Sequence, residues 1–375
     1  MSSIKKRMEG ALEKRRRAGL LRALPEPIGG KLDFCSNDYL GLARSTPDYS
    51  EQSPGATGSR LISGNSSLAE EVERLIAAFH RAEAALLFPS GYSANIGLLP
   101  AVVSRQDTIV YDKLLHASLR DGIKLTQARA FGFAHNNIND LAKKLAVAEG
   151  EKWVIVESVY SMDGDQAPLV DMASLCKEYG ANLIVDEAHG TGVMGDRGEG
   201  LVCALGLEDL VWARIHTFGK AVGGHGAAVL GSQLLKNYLV NFARSFIYTT
   251  AIPPISLAHI SLAYGRMAET DIVQVLHERV QYFLKQCPDS VRRRLIPSTT
   301  PIQAVLCPGN TEVKALAQSL QRSGMAVLPI RYPTVPRGQE RLRICLHTFN
   351  TDEEIDQILF ALSRYFEKHT GRYTA

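Results

Sequence analysis

The sequence predicts an α/β protein in which a large, mainly parallel sheet is covered by helices on both faces and followed by a smaller α+β unit. Three observations carry this expectation. Short apolar runs at 84–88, 108–111, 153–157 and 183–186 stop at polar or glycine residues. Helical spacing fills the intervals at 140–149 and 169–179, and strand, helix, strand at this length signals parallel strands buried on both sides. After about residue 268 the character changes. Runs at 302–306, 326–330 and 342–346 read as strands, 312–323 and 352–365 as helices, and 297–301 and 332–338 as proline-rich turns.

The first element along the chain is a basic leader. Ile4, Met8, Ala11 and Leu12 fall on one face of an amphipathic helix. Residues 1–22 hold eight basic and two acidic groups, a charge of +6, whereas the rest holds 34 basic and 37 acidic groups, a charge of −3. That distribution excludes a protein that coats nucleic acid by bulk charge, so no nucleic-acid partner is expected. No apolar run follows the charges, which excludes a secretory signal, and Glu9 and Glu13 disfavour a transit peptide. An arm, a targeting segment and a ligand-facing helix all stay open for the leader.

Two uncharged stretches, 84–104 and 245–265, are long enough to raise a membrane span. The first is interrupted by Pro89, Gly91, Asn95 and Pro100, the second by Pro253-Pro254, so neither suits a spanning helix. Six cysteines without paired spacing argue against disulfides or zinc and fit a reducing, cytoplasmic compartment. At 375 residues and 45% hydrophobic, the chain is long enough for two or three domains. The expected division is 1–38 as leader, 39–268 as large domain and 269–375 as small domain.

Val185-Asp186-Glu187-Ala188-His189 spells a helicase-type acidic box. An ATPase also needs a phosphate-cradling G-x-x-x-x-G-K-[ST] loop. The two Gly-Lys pairs, Gly30-Lys31-Leu32 and Gly219-Lys220-Ala221, lack the loop and the hydroxyl, so that reading fails. The box makes better sense beside Thr217-Phe218-Gly219-Lys220-Ala221, whose lysine lies 34 positions after Asp186. Pyridoxal phosphate needs a lysine amine, a carboxylate for its ring nitrogen, phosphate donors and a flat ring partner. Lys220 and Asp186 supply the first two. Thr217 and the Ser90-Gly91-Tyr92 turn can donate to phosphate, and His116 can stack. Each residue alone is weak, and an isolated histidine such as His116 or His189 is ordinarily a satisfied core or cap residue. Their order along the chain is what raises the odds.

That order resembles the α-oxoamine synthases, fold-type I pyridoxal phosphate enzymes that join an amino acid to an acyl thioester. The resemblance runs through nearly the whole chain. It rests on 36–42 (SNDYLGL), 58–64 (GSRLISG), 90–95 (SGYSAN), His116-Ala117-Ser118, 161–165 (SMDGD), 186–192 (DEAHGTG) and 217–220 (TFGK). Within the family it is most similar to the biotin-pathway member, through Ala11-Leu12 and Arg22, Phe242-Ala243-Arg244 with Tyr248-Thr249-Thr250, and 333–336 with Arg341-Leu342-Arg343.

The resemblance implies a seven-stranded, mainly parallel sheet, a smaller α+β C-terminal domain and an N-terminal helical leader. It implies a homodimer with its site at the subunit interface. It implies that Lys220 forms the imine and moves the Cα proton, Asp186 pairs with the ring nitrogen, and His116 stacks on the ring. His189 and Ser161 would stand at the ring hydroxyl. Gly91, Tyr92 and Thr217 would hold the phosphate, with Thr249 or Thr250 reaching it from a second subunit. Asn37 and Arg343 would bind the amino acid, with Arg341 as the second candidate clamp, and Arg22 would meet the acyl substrate. The implied reaction joins L-alanine to pimeloyl-CoA or a pimeloyl carrier-protein thioester. Glycine with a short acyl-CoA and serine with a long-chain one are the alternatives inside the family, and a cofactor-free scaffold is the alternative outside it.

The sequence departs from its relatives in three places. Residues 43–55 form a short connection, Ser66-Ser67-Leu68-Ala69 lacks a histidine frequent there, and Cys345 and His347 stand where relatives carry small hydroxyl residues. These bear on the acyl chain and the amino acid, not on the cofactor.

Overall fold

A computed structural model describes residues 2–22, 24, 29–45 and 47–369. A two-residue strand, β1 (Leu32–Asp33), precedes the main sheet. The main sheet contains β2 (Ala84–Phe88), β3 (Thr108–Asp112), β4 (Arg129–Phe133), β5 (Lys152–Glu157), β6 (Ala181–Asp186), β7 (Ala213–Thr217) and β8 (Ala227–Gly231). Its order is β2-β8-β7-β6-β5-β3-β4, and only β8 runs antiparallel to the others. The centre of β5 and β6 is continuously apolar because helices cover both faces.

Three strands of the main sheet were not legible as apolar runs. β4 lies at the sheet edge and is largely exposed. β8 is built of small residues. β7 is interior yet carries Arg214 and His216, which are buried by pairing: Arg214 donates to the His80 carbonyl at 2.7 Å, and His216 Nδ1 meets Thr191 Oγ1 at 2.8 Å.

The smaller unit follows helices Pro254–Glu269 and Ile272–Gln286. Its sheet comprises β9 (Leu295–Ile296), β10 (Ile302–Leu306), β12 (Leu328–Ile330) and β13 (Arg341–Cys345), in the order β12-β13-β10-β9, all antiparallel. The expected strand at 326–330 is split, since Met325–Ala326 forms β11 and pairs with β1 instead. Helices Asn310–Arg322 and Asp352–Lys368 cover the sheet, the latter opened by a Thr351/Glu354 capping box. Helix Ile272–Gln286 joins two cores, packing Val273 and Leu276 into the large one and Val280 and Phe283 into the small one.

The segment after β1 bridges the same two cores. Phe34 is buried in the smaller core, whereas Tyr39, Leu40 and Leu42 are buried in the larger. Cys345 N–H donates to the Phe34 carbonyl and Thr348 N–H to the Tyr39 carbonyl, both at 2.9 Å. Residues 34–39 are thereby held against the end of β13 and the residues that follow it.

The leader forms helix Ser3–Arg17, capped by Ser2, and it ends five residues before Arg22. None of its residues is buried, and Ile4, Met8 and Leu12 are exposed. No helix among the described residues is long and apolar enough to cross a membrane. None of the six cysteines, all of them among the described residues, is joined in a disulfide.

Candidate active site

The carboxyl ends of the parallel strands converge on one edge, where sheets of this kind bind ligands. β2 leads to Ser90 and helix Gly91–Val102, β3 to His116, β5 ends at Glu157 and leads to Ser161, β6 ends at Asp186 and leads to His189, and β7 leads to Lys220. Residues spread over 130 positions of sequence are brought to this edge because five parallel strands of the sheet end there.

Strand alternation separates Asp186 from Glu187. Asp186 is buried, taking an N–H from Asn95 Nδ2 at 3.0 Å and from the Ala188 backbone at 2.9 Å. Glu187 turns the other way, accepting from Ser158 Oγ at 2.6 Å, Val202 N at 2.7 Å and Leu201 N at 3.1 Å. The acidic box thus contributes one carboxylate to the site and one to a structural loop.

Burial, reinforced by Arg343, holds Lys220 below the usual lysine range, against the pull of Asp186 and Glu157. His189 is pushed far down by burial and by the Lys220 and Arg343 cations, so it is neutral. Its Nδ1 meets Tyr39 Oη at 2.9 Å. His116 is also lowered by burial, caps helix Ala117–Thr126, and places Nδ1 2.7 Å from Ser118 Oγ. Asn95 Nδ2 donates to that same hydroxyl at 2.9 Å, so His116, Ser118, Asn95 and Asp186 form one chain.

Arg343 and Arg341 lie on one face of β13 but have different partners. Arg341 is ion-paired with Asp163 and donates Nε to the Gln339 carbonyl at 2.8 Å. Arg343 Nη2 reaches Asn37 Oδ1 at 3.0 Å and Tyr39 Oη at 3.2 Å, and its buried Nε has no partner. A buried guanidinium with an unused donor is a ready carboxylate fork. His347 is fully buried behind it, with Nε2 3.1 Å from both Ser36 Oγ and the Ser36 carbonyl, and Nδ1 3.0 Å from Asn350 Oδ1. It therefore fixes the backbone from which Asn37 projects.

At the opposite side, a Cβ on Gly91 would stand 3.4 Å from Thr217 Oγ1. Gly91 thus lies beside the Thr217 hydroxyl at the start of a twelve-residue helix, a setting for an anion. The Tyr92 hydroxyl is engaged with Asp121 at 2.8 Å, which leaves its backbone as the group available here. Thr249 and Thr250 line a small cavity with Arg60, Leu87 and Pro89. Ser161 opens the turn that carries Asp163. Arg22 makes none of these contacts; it is exposed and borders a groove with Arg15, Leu20 and residues 329–334.

His135 supports the same turn. Its Nδ1 meets Asp112 Oδ1 at 3.0 Å and its Nε2 meets Asp165 Oδ2 at 2.7 Å. Burial alone would lower this imidazole, but the two carboxylates outweigh it and push the pKa up to about 9. A raised folded pKa stabilises the protein fully below the unfolded value of about 6.5 and progressively less as pH rises through 9. Thermal unfolding of wild type and His135→Asn should differ most below pH 6.5 and converge above pH 9. A pH-independent difference would remove the charge from this explanation.

Asn95, Tyr39, Ser118 and Glu157 belong to the cluster but were not assigned from sequence. Asn95, Tyr39 and Ser118 lie inside the family-like blocks, and a polar Asn95 in the apolar middle of helix Gly91–Val102 was the one local signal. Among the described residues, no group of three or more His, Cys, Asp and Glu is arranged to hold a metal ion.

The donor set suits pyridoxal phosphate. A lysine with a lowered pKa favours imine formation, a buried carboxylate suits a protonated ring nitrogen, and a helix start with a threonine suits phosphate.

Comparison with known proteins agrees. The model of the family "Aminotransferase class I and II" matches residues 29–362. The 8-amino-7-oxononanoate synthase of Marinobacter nauticus is 39% identical over 379 aligned positions, covering 94% of each chain. Among solved structures, that of 8-amino-7-oxononanoate synthase from Francisella tularensis superposes with a TM-score of 0.78 at 28% identity, covering 91% of this chain and 99% of that one. A structure of SPT with pyridoxal phosphate as an internal aldimine gives a TM-score of 0.88 at 25% identity, covering 98% and 99%. The resemblance read from the motifs is borne out, with its fold and its cofactor: the chain belongs to the aminotransferase class I and II family of pyridoxal phosphate enzymes.

Proposed function

We propose that this protein catalyses the decarboxylative condensation of L-alanine with pimeloyl-CoA, or a pimeloyl carrier-protein thioester, to 8-amino-7-oxononanoate, CO2 and free thiol, in biotin biosynthesis. The observation that carries the reading is the meeting of Lys220, Asp186, His116 and Arg343 at one sheet edge, in a chain 39% identical to a synthase of that name over 94% of its length.

The cofactor, when bound, withdraws electrons from the amino-acid Cα and so makes that carbon a nucleophile toward the thioester. The protein's part is to hold and orient. Asp186 would keep the ring nitrogen protonated, itself aimed by Asn95. His116 would lie on the ring face, and His189 and Ser161 would meet the ring hydroxyl. Gly91 and Tyr92 through their backbone, and Thr217 through its hydroxyl, would hold phosphate, joined by Thr249 or Thr250 of a second copy. Arg343 would grip the substrate carboxylate, with Asn37 and Tyr39 fixing the guanidinium. Lys220, with its lowered pKa, is suited to take and return the Cα proton.

Arg341 is committed to Asp163, which favours Arg343 as the clamp. Arg343→Gln should raise the KM for the amino acid by about one to two orders of magnitude, the size of a lost charged hydrogen-bonded contact, with cofactor binding retained. Arg341→Gln should lower the melting temperature and leave that KM nearly unchanged. An equal KM effect from both would refute the assignment.

We further read the protein as a cytoplasmic homodimer divided at 1–38, 39–268 and 269–375. Support for the dimer comes from exposed Leu61, Ile62 and Tyr248, which flank the strip where Ala251 N–H donates to the Gly58 carbonyl at 3.0 Å. An exposed apolar patch beside a site suits a partner subunit. The deciding experiment offers alanine, glycine and serine with pimeloyl, acetyl and palmitoyl thioesters and reads thiol release. Highest kcat/KM with alanine and the pimeloyl thioester is expected. Preference for glycine with acetyl, or serine with palmitoyl, would replace the substrates while leaving the cofactor chemistry standing.

A further inference from the structure

One buried carboxyl of the cluster has no part in the roles given so far. Glu157 ends β5 directly in register with Asp186 at the end of β6, and it is 3% exposed. Two carboxyl groups at paired strand ends are costly, since burial and mutual repulsion both oppose their charges. Burial first, and Asp186 second, hold Glu157 well above the usual carboxylate range, against the His116 N–H and Lys220. Asp112 on β3 adds to the repulsion. An apolar residue at this end of β5 would match the apolar run before it. A carboxyl kept there points to a task.

The contact that identifies the task is the backbone. Glu157 Oε1 accepts the His116 N–H at 2.5 Å. His116 is the cap residue of helix Ala117–Thr126, with φ −55° and ψ 149°, and its ring is tied through Nδ1 to Ser118. Bonds on both backbone and ring leave the imidazole little freedom.

We propose that Glu157 is a positioning residue for His116, seating its backbone N–H so that the imidazole is held in the plane that meets the cofactor ring. This rests on the cofactor reading above. A glutamine can still accept the N–H, whereas alanine cannot. Loss of the bond frees the cap, and the ring plane is then set by Ser118 alone.

The test titrates pyridoxal phosphate into the apoprotein of wild type, Glu157→Gln and Glu157→Ala. Affinity is followed by absorbance, and ring orientation by visible circular dichroism per bound cofactor. Glu157→Gln should bind within about twofold of wild type, whereas Glu157→Ala should bind about five- to tenfold more weakly, the effect of one lost hydrogen bond. The dichroism should be kept in the first and reduced in the second. Should the alanine variant not fold, Glu157→Leu, close in size and without an acceptor, takes its place. Unchanged affinity and dichroism in the alanine or leucine variant would overturn the proposal, as would a glutamine variant that falls as far. Failure of the wild type to bind the cofactor would instead strike the functional reading itself.

Discussion

Lys220→Ala should yield a folded protein that no longer attaches pyridoxal phosphate covalently and whose turnover falls by at least about four orders of magnitude. Two roles are lost together, the imine amine and the proton carrier at Cα, and no neighbour replaces either. His189 and His116 are held neutral, but Ser118 occupies one ring nitrogen of His116 and Tyr39 one of His189. Removing the cation also takes away a charge that opposes the upward shift of Glu157, so Glu157 should bind its proton more tightly in the variant. The measurement is absorbance of the reconstituted variant together with thiol release. Turnover within tenfold of wild type would show that another group moves the proton.

Asp186→Ala should be nearly as damaging, by a different route. The buried carboxylate gives the ring nitrogen its proton and so its capacity to accept electrons; without it the ring is a poor sink. The variant also strands the Ala188 N–H in a buried site and takes from the Asn95 amide one of its two acceptors, leaving it Ser118 Oγ. Cofactor affinity should fall about a hundredfold and turnover by about three orders of magnitude or more. Asp186→Asn separates the contributions, because it can still accept from Ala188 while carrying no charge. It should keep most of the melting temperature and little of the turnover. Titration of cofactor into both variants, with unfolding curves, provides the check; a fully active asparagine variant would contradict the pairing of Asp186 with the ring nitrogen.

Strands β2, β3, β5 and β6 could be read in advance because strands buried on both faces need nothing but apolar residues along most of their length. The candidate site was legible for a related reason: each of these residues stands at a strand end or within four positions after it, so Ser90-Gly91, His116, Asp186 and Lys220 keep their order whatever the intervening helices do. β7 was hidden because Arg214 and His216 are buried polar residues, whose contacts with the His80 carbonyl and the Thr191 hydroxyl lie more than twenty positions away in sequence. Distance in sequence also hid Tyr39 and Glu157, whose roles depend on Arg343, His189 and His116. The choice between Arg341 and Arg343 needed Asp163, which only the fold brings to β13. The leader's charge was visible, but its placement was not. Arg22 lies past the end of the helix, bordering the turn after β12, and not among the clustered residues.

The central claim, that this fold holds pyridoxal phosphate on Lys220, is tested most directly by borohydride reduction of the reconstituted wild-type protein followed by peptide mapping. A yellow protein that bleaches on reduction, with one reduced pyridoxyl group on the peptide containing Lys220, is the expected result. Label on any other lysine, or no fixed label at all, would contradict it.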